Sequence, residues 1–137
     1  MTILNLNELA MKQPDIEIYL KDAQLFAIIE WLQSALGECS DWQMKGKVYH
    51  CQTIEAQIPI TFYQKAVGNW HCLYFANNKT PWSNDLACAL AANDYLNIEI
   101  RCAPNSWSET MRETDEQADH WLKIDQQQVI EFIWRTH

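Results

Sequence analysis

A chain of 137 residues sits at the common size of one domain and is long enough to bury a core without a disulfide or metal staple. With 48% hydrophobic and 12% aromatic residues, three glycines and four prolines, it reads as a folded protein and not a disordered one. Eighteen acids against ten bases, a formal net charge of -8, exclude a module that holds nucleic acid by neutralising phosphates, and disfavour anionic lipid surfaces.

The first 14 residues form a polar arm with scattered apolar positions, closed by Pro14. They lack the basic start and apolar stretch of a secretory signal, and no apolar run reaches the length of a membrane span. Asp15 to Lys21 has strand composition, with Ile16, Ile18 and Leu20 on one face. Asp22 then caps a helix whose apolar residues Leu25, Ile28, Ile29, Leu32 and Leu36 follow the 3.6-residue period, and Gly37 ends it.

From Met44 to Ala76 the chain predicts a three-stranded meander: VYHCQTI, then ITFYQKAV after Pro59, then WHCLYF after a Gly68-Asn69 turn. Thr80-Pro81 predicts the start of a second helix, a hydroxyl cap followed by proline at the first helical position, running through Trp82, Leu86 and Leu90 to about Asp94. NIEIRC, 97–102, is a further strand, broken by Pro104. The acidic stretch 109–119 reads as a loop or a short helix. His120 to Ile124 and Val129 to Thr136 form a closing hairpin around 125–128, with a final helix as the alternative.

The order of elements implies a single α+β domain over 1–137: an antiparallel or mixed sheet of five to seven strands with two main helices on one face, in an extended ferredoxin-like split βαβ arrangement.

Chemical motifs are sparse. His50-Cys51 and His71-Cys72 offer zinc-type ligands, but adjacent strand residues point to opposite faces, so neither pair can close on one metal and no metal is expected. Cys102 beside Arg101 is the best-placed thiol for reactivity, yet no histidine can be named as its partner. Glu116 and His120, like Asp115 and Asp119, are four apart and would share a helix face, but the calcium-loop pattern and its glycine are missing. No glycine-rich phosphate loop exists, so no nucleotide cofactor is expected. The five cysteines are odd in number and spread out, which points to free thiols in a reducing compartment, the cytoplasm.

Seven tryptophans are the unusual feature. Trp31 packs beside the first helix face, and Trp70, Trp121 and Trp134 belong to the core or a sheet face. Trp42, Trp82 and Trp107 lie near loop boundaries, where a large ring either folds onto the core or lines a binding surface. Trp82, Asp85, Arg101 and Trp107 are therefore the candidate ligand- or partner-binding residues, an aromatic pair with one carboxylate and one cation.

Strong negative charge, surplus tryptophan and no catalytic spacing favour a non-enzymatic binding protein, such as an acidic inhibitor or immunity-type protein that covers a basic partner. The alternatives are a small-molecule site or small enzyme near Trp82, Arg101 and Trp107, and a homodimer formed through a free sheet edge or the N-terminal arm.

Overall fold

The computed structural model describes residues 15–76, 79–104 and 119–135. Within them one antiparallel sheet holds β1 (Ile16–Lys21), β2 (Gln43–Lys45), β3 (Val48–Gln52), β4 (Pro59–Val67), β5 (Trp70–Phe75), β6 (Ile100–Cys102), β7 (His120–Asp125) and β8 (Gln128–Ile133). Two helices, α1 (Leu25–Leu36) and α2 (Asp85–Leu96), complete the described elements. The strand order is β2-β3-β4-β5-β1-β6-β7-β8. The domain is α+β as expected, but its sheet has eight strands where five to seven were predicted. The ferredoxin-type arrangement is not matched exactly, because β2 and β3 extend the sheet beyond β4 while the β7–β8 hairpin extends it beyond β6.

Period-2 alternation decides which side of this sheet is covered. Ile16, Ile18 and Leu20 of β1 are fully buried, as are Leu73 and Phe75 of β5, Ile100 and Cys102 of β6 and Ile124 of β7. They form one cluster with Ile28, Trp31 and Leu32 of α1 and Cys88, Ala89 and Ala92 of α2. Residues on one strand face pack together, so both helices lie on that face and the intervening residues point the other way.

α1 appears where its periodicity places it, although its N-cap is Gln24, which makes no side-chain capping bond, and not Asp22. Gly37 closes it at φ 98, in a region glycine adopts without a steric penalty. α2 begins four residues later than Thr80-Pro81 predicts. Asn84 is its cap, accepting the Ala87 N–H at 2.8 Å. The Thr80 hydroxyl instead closes a local turn by accepting the Trp82 N–H at 3.2 Å. That turn lets Trp82 stack on Trp31 at 5.3 Å and meet Phe75 at 5.6 Å, so burial of a large ring overrides the local helix signal.

The closing hairpin forms, and the alternative helix does not. Gln126 and Gln127 both have positive φ, 51 and 62, the signature of a two-residue type I′ turn. Gln127 is fixed there by its N–H to Asn93 Oδ1 at 2.9 Å and its side-chain amide to the Leu90 carbonyl at 3.1 Å. The hairpin is thus tied to α2 through the buried Asn93.

Candidate functional site

Among the described residues, polar and aromatic chemistry gathers on the sheet face opposite α1 and α2. Cross-strand register lays it out in rows. Tyr63 pairs with Cys72, Cys72 with Tyr19, Tyr19 with Arg101 and Arg101 with Lys123. In the next row Thr61 pairs with Tyr74 and Tyr74 with Glu17.

At one end of this face Arg101 is held among rings. Its guanidinium carbon lies 4.0 Å from the Trp70 ring centre, 4.5 Å from Trp134 and 4.7 Å from Phe132. Its Nε donates to Glu99 Oε2 at 3.1 Å, in a pair whose side chains are only 17% and 15% exposed. Trp134 follows β8 and is anchored by its N–H to the Asp119 carbonyl at 2.9 Å. Its ring meets Tyr19 at 5.6 Å, Trp70 at 5.4 Å and Trp121 at 5.0 Å.

At the other end lies a hollow of about 310 Å³ lined by Glu17, Tyr19, Tyr63, Ala66, Cys72 and Tyr74. It exists because Cys72, a short side chain, stands in the row between two tyrosines and forms the floor. The β4 register shifts between Tyr63 and Val67, and this bulge brings Ala66 to the rim. The Tyr19 hydroxyl interacts with the Glu17 carboxylate and the Cys72 thiol. Tyr74 donates its hydroxyl to Asp15.

The titratable groups of this hollow are hard to ionise. Burial first, then Cys72 and Glu17, raise the Tyr19 phenol well above its ordinary range. Burial and then Glu17 raise the Cys72 thiol. The hydrogen bond to Asp15, then burial, push Tyr74 up to about 12, with Glu17 adding to the effect. Each of these groups resists becoming an anion, so none is prepared as a nucleophile.

A second hollow, of about 340 Å³, opens on the helix side beside the start of α1. His71 lines it, buried, with Nδ1 accepting the Lys65 N–H at 2.8 Å across the β4 bulge, where Lys65 has φ 51. Burial lowers its pKa. This histidine holds the bulge in place.

The sequence-predicted residues do not share one surface. Trp82 is buried in the core on the helix side. Asp85, 2% exposed, opens α2 and accepts the Glu17 N–H through Oδ1 at 3.1 Å. Lys21 donates to Glu99 across the β1–β6 pair, and strand alternation turns the Glu17 N–H to the same side. β6 ends at Cys102, so Asp85 takes the place of the missing strand carbonyl. Arg101 lies on the opposite face from Trp82, and Trp107 lies outside the described residues together with nearly all of 109–119. Tyr19, Tyr63, Trp70, Cys72, Tyr74 and Trp134 are the residues that sequence reasoning did not assemble into a site. Alternation within DIEIYLK and WHCLYF assigns most of them to the non-core face, but the adjacency of β1, β5 and β6 is a long-range fact.

Cys88 and Cys102 are buried in the core, where burial raises both thiols, Cys102 to about 12. His71 and Cys72 face opposite sides of the sheet, and His50 Nδ1 lies 3.2 Å from Thr61 Oγ1 on the exposed side. Among the described residues, no three His, Cys, Asp or Glu side chains come together as a metal-holding group. Comparison with protein families, curated proteins and solved structures gives no match for this chain.

Proposed function

We propose that the protein is a non-enzymatic binding protein that uses the sheet face opposite α1 and α2 to engage a basic protein partner, as an acidic inhibitor or immunity-type protein does. One observation carries this reading: seven tyrosine, tryptophan and phenylalanine side chains and Arg101 are concentrated on the sheet face opposite α1 and α2. Tyr, Trp and Arg are the residues that dominate binding energy at protein interfaces. The net charge of -8 supports a basic partner, since opposite charge speeds encounter and rejects acidic competitors. An extended ferredoxin-type reading of the central order β4-β5-β1-β6 accounts for α1 and α2 lying on the same face. Free thiols at all five cysteines support a reducing compartment such as the cytoplasm.

Affinity capture from native extract at low salt tests the reading. Wild type and a helix-side control, Phe26→Ser, retain the same protein, whereas Glu17→Arg does not. Retention by Glu17→Arg together with loss by Phe26→Ser overturns it.

The second reading is a homodimer through β8, which ends the sheet order among the described strands and whose Val129, Ile130 and Ile133 are 42–49% exposed. Glu131, in the middle of that strand, opposes self-pairing in the register that sets it against its own copy. Light scattering at high concentration separates the two: a monomer removes the dimer, and a dimer that Ile130→Lys dissolves supports it.

A further inference from the structure

The hollow beside the start of α1 is lined by groups of both charges and by one buried donor. His71, 6% exposed, stands in its wall and uses Nδ1 to accept the Lys65 N–H at 2.8 Å. With Nδ1 as an acceptor, the neutral ring carries its proton on Nε2. Among the described residues that proton meets no acceptor. Gln64 and Lys65 are consecutive on β4 and would point to opposite faces of a regular strand, yet both line the hollow. The bulge after Tyr63, held by His71, turns them to one side. Asp22 lines the same hollow, fixed by its N–H to the Asn69 carbonyl at 3.3 Å. Burial lowers the His71 pKa, Asp22 opposes that and Lys65 reinforces it, so both charges reach the ring. The first turn of α1 enters through Gln24 and Leu25. Leu25 to Ile28 contain no acid and Gln24 makes no side-chain cap, so the turn presents the positive end of the helix dipole. Tyr49 and Phe62, with ring centres 6.0 Å apart, add an apolar wall.

We propose that this hollow binds a free α-amino acid with an apolar side chain: its carboxylate on His71 Nε2–H, the Lys65 ammonium and the first N–H groups of α1, its ammonium on Asp22, and its side chain against Tyr49, Phe62 and Leu25. This site lies on the opposite side of the sheet from the proposed partner surface and stands without it. A volume of about 340 Å³ falls at the small end of ligand pockets, roughly 300–1,000 Å³, and suits one small molecule. Asp22 repels a plain anion, and Lys65 with the helix end repels a plain cation. A molecule that carries both charges on neighbouring atoms satisfies all three groups together. A peptide terminus offers only one of the two charges.

The test uses the intact chain with L-leucine, L-leucinamide (no carboxylate) and Nα-acetyl-L-leucine (no ammonium) as probes. The two derivatives also stand for the N- and C-terminal ends of a peptide. Binding is followed by imidazole carbon–proton NMR shifts of His71 and by calorimetry. Leucine binds at least about tenfold more tightly than either derivative. Lys65→Met weakens leucine about tenfold and leaves leucinamide unchanged. Asp22→Asn weakens leucine about tenfold and does not weaken Nα-acetyl-leucine. Asparagine accepts the positive φ of Asp22, 50, and Lys65→Met keeps the backbone N–H that His71 holds, so the amide spectra of both variants stay folded. Equal binding of the three probes, tighter binding of either derivative than of leucine, or no His71 shift at about 10 mM leucine overturns the proposal. Undiminished leucine binding by both folded variants overturns it as well.

Discussion

Replacing Asp85 by asparagine stabilises the fold at neutral and alkaline pH and leaves it nearly unchanged in acid. Asp85 is buried at the first turn of α2, where burial pushes its carboxyl from 3.8 up to about 7, Glu17 adding to the rise and the hydrogen bond from the Glu17 N–H opposing it. Between those two pH values the folded chain keeps a proton that the unfolded chain has released. The unfolded state therefore binds fewer protons, and stability falls as pH rises through this window. At roughly 1.4 kcal/mol per pH unit, ionising Asp85 in the fold costs about 4 kcal/mol more than in the unfolded chain. A favourable charge–dipole contribution at a helix N-terminus, about 0.3–1 kcal/mol, is too small to offset this. Asparagine keeps an oxygen for the Glu17 N–H and carries no charge. Urea unfolding of both proteins from pH 4 to pH 8 gives the difference directly, so that other titrating groups cancel. The variant gains on the wild type by up to about 4 kcal/mol across the window. A difference that is constant with pH, or that grows in favour of the wild type, refutes the reasoning.

Trp82→Ala removes a ring stacked on Trp31 in the core and lowers stability by about 3–5 kcal/mol in denaturant unfolding, with partner binding retained once the protein is folded. Arg101→Met keeps much of the stem but leaves Glu99 half-buried without its cation; a loss of about 1–3 kcal/mol and a changed near-ultraviolet dichroism of the tryptophans are expected. Titration of the native protein with a thiol reagent near neutral pH modifies Cys39 alone, because Cys51, Cys72, Cys88 and Cys102 are buried and become reactive only on unfolding; fast reaction of two or more thiols contradicts this. Gln126→Gly relieves a positive φ in the β7–β8 turn and raises the unfolding midpoint by the equivalent of about 0.5–1 kcal/mol, whereas Gln127→Gly keeps its N–H bond to Asn93 but loses the side-chain amide bonds to Asn93 and Leu90 and gains nothing.

Local pattern carried a good share of the fold. Alternation placed β1 and β5, the 3.6-residue period placed α1, and two β-branched runs around Gln126-Gln127 placed the last hairpin. The start of α2 was not legible, because Thr80 and Asn84 are both competent caps and only the burial of Trp82 against Trp31 and Phe75 decides between them. The short β2 was missed for a related reason: its three residues are all exposed and carry no apolar alternation. The site was legible one residue at a time. The sequence groups Arg101 with Trp82 and Trp107, although Ile100 and Cys102 on either side already assign it to the non-core face, where it lies over Trp70. Its true neighbours, Trp70 and Trp134, come from β5 and from the residue after β8. No sequence-local rule joins them, since β1 pairing with both β5 and β6 is fixed by the sheet as a whole.

Hydroxyl-radical footprinting of the aromatic side chains, with and without the captured partner, tests the sheet face opposite α1 and α2 as the working surface most directly. Tyr63 is 40% exposed on that face, while Tyr95 and Phe26 on the helices are 50% and 63% exposed, so all three are oxidised readily in the free protein. Binding protects Tyr63, Tyr74, Trp70 and Trp134 and leaves Tyr95 and Phe26 unchanged. Protection of Tyr95 and Phe26, with Tyr63 and Trp134 still oxidised at the free rate, contradicts the account.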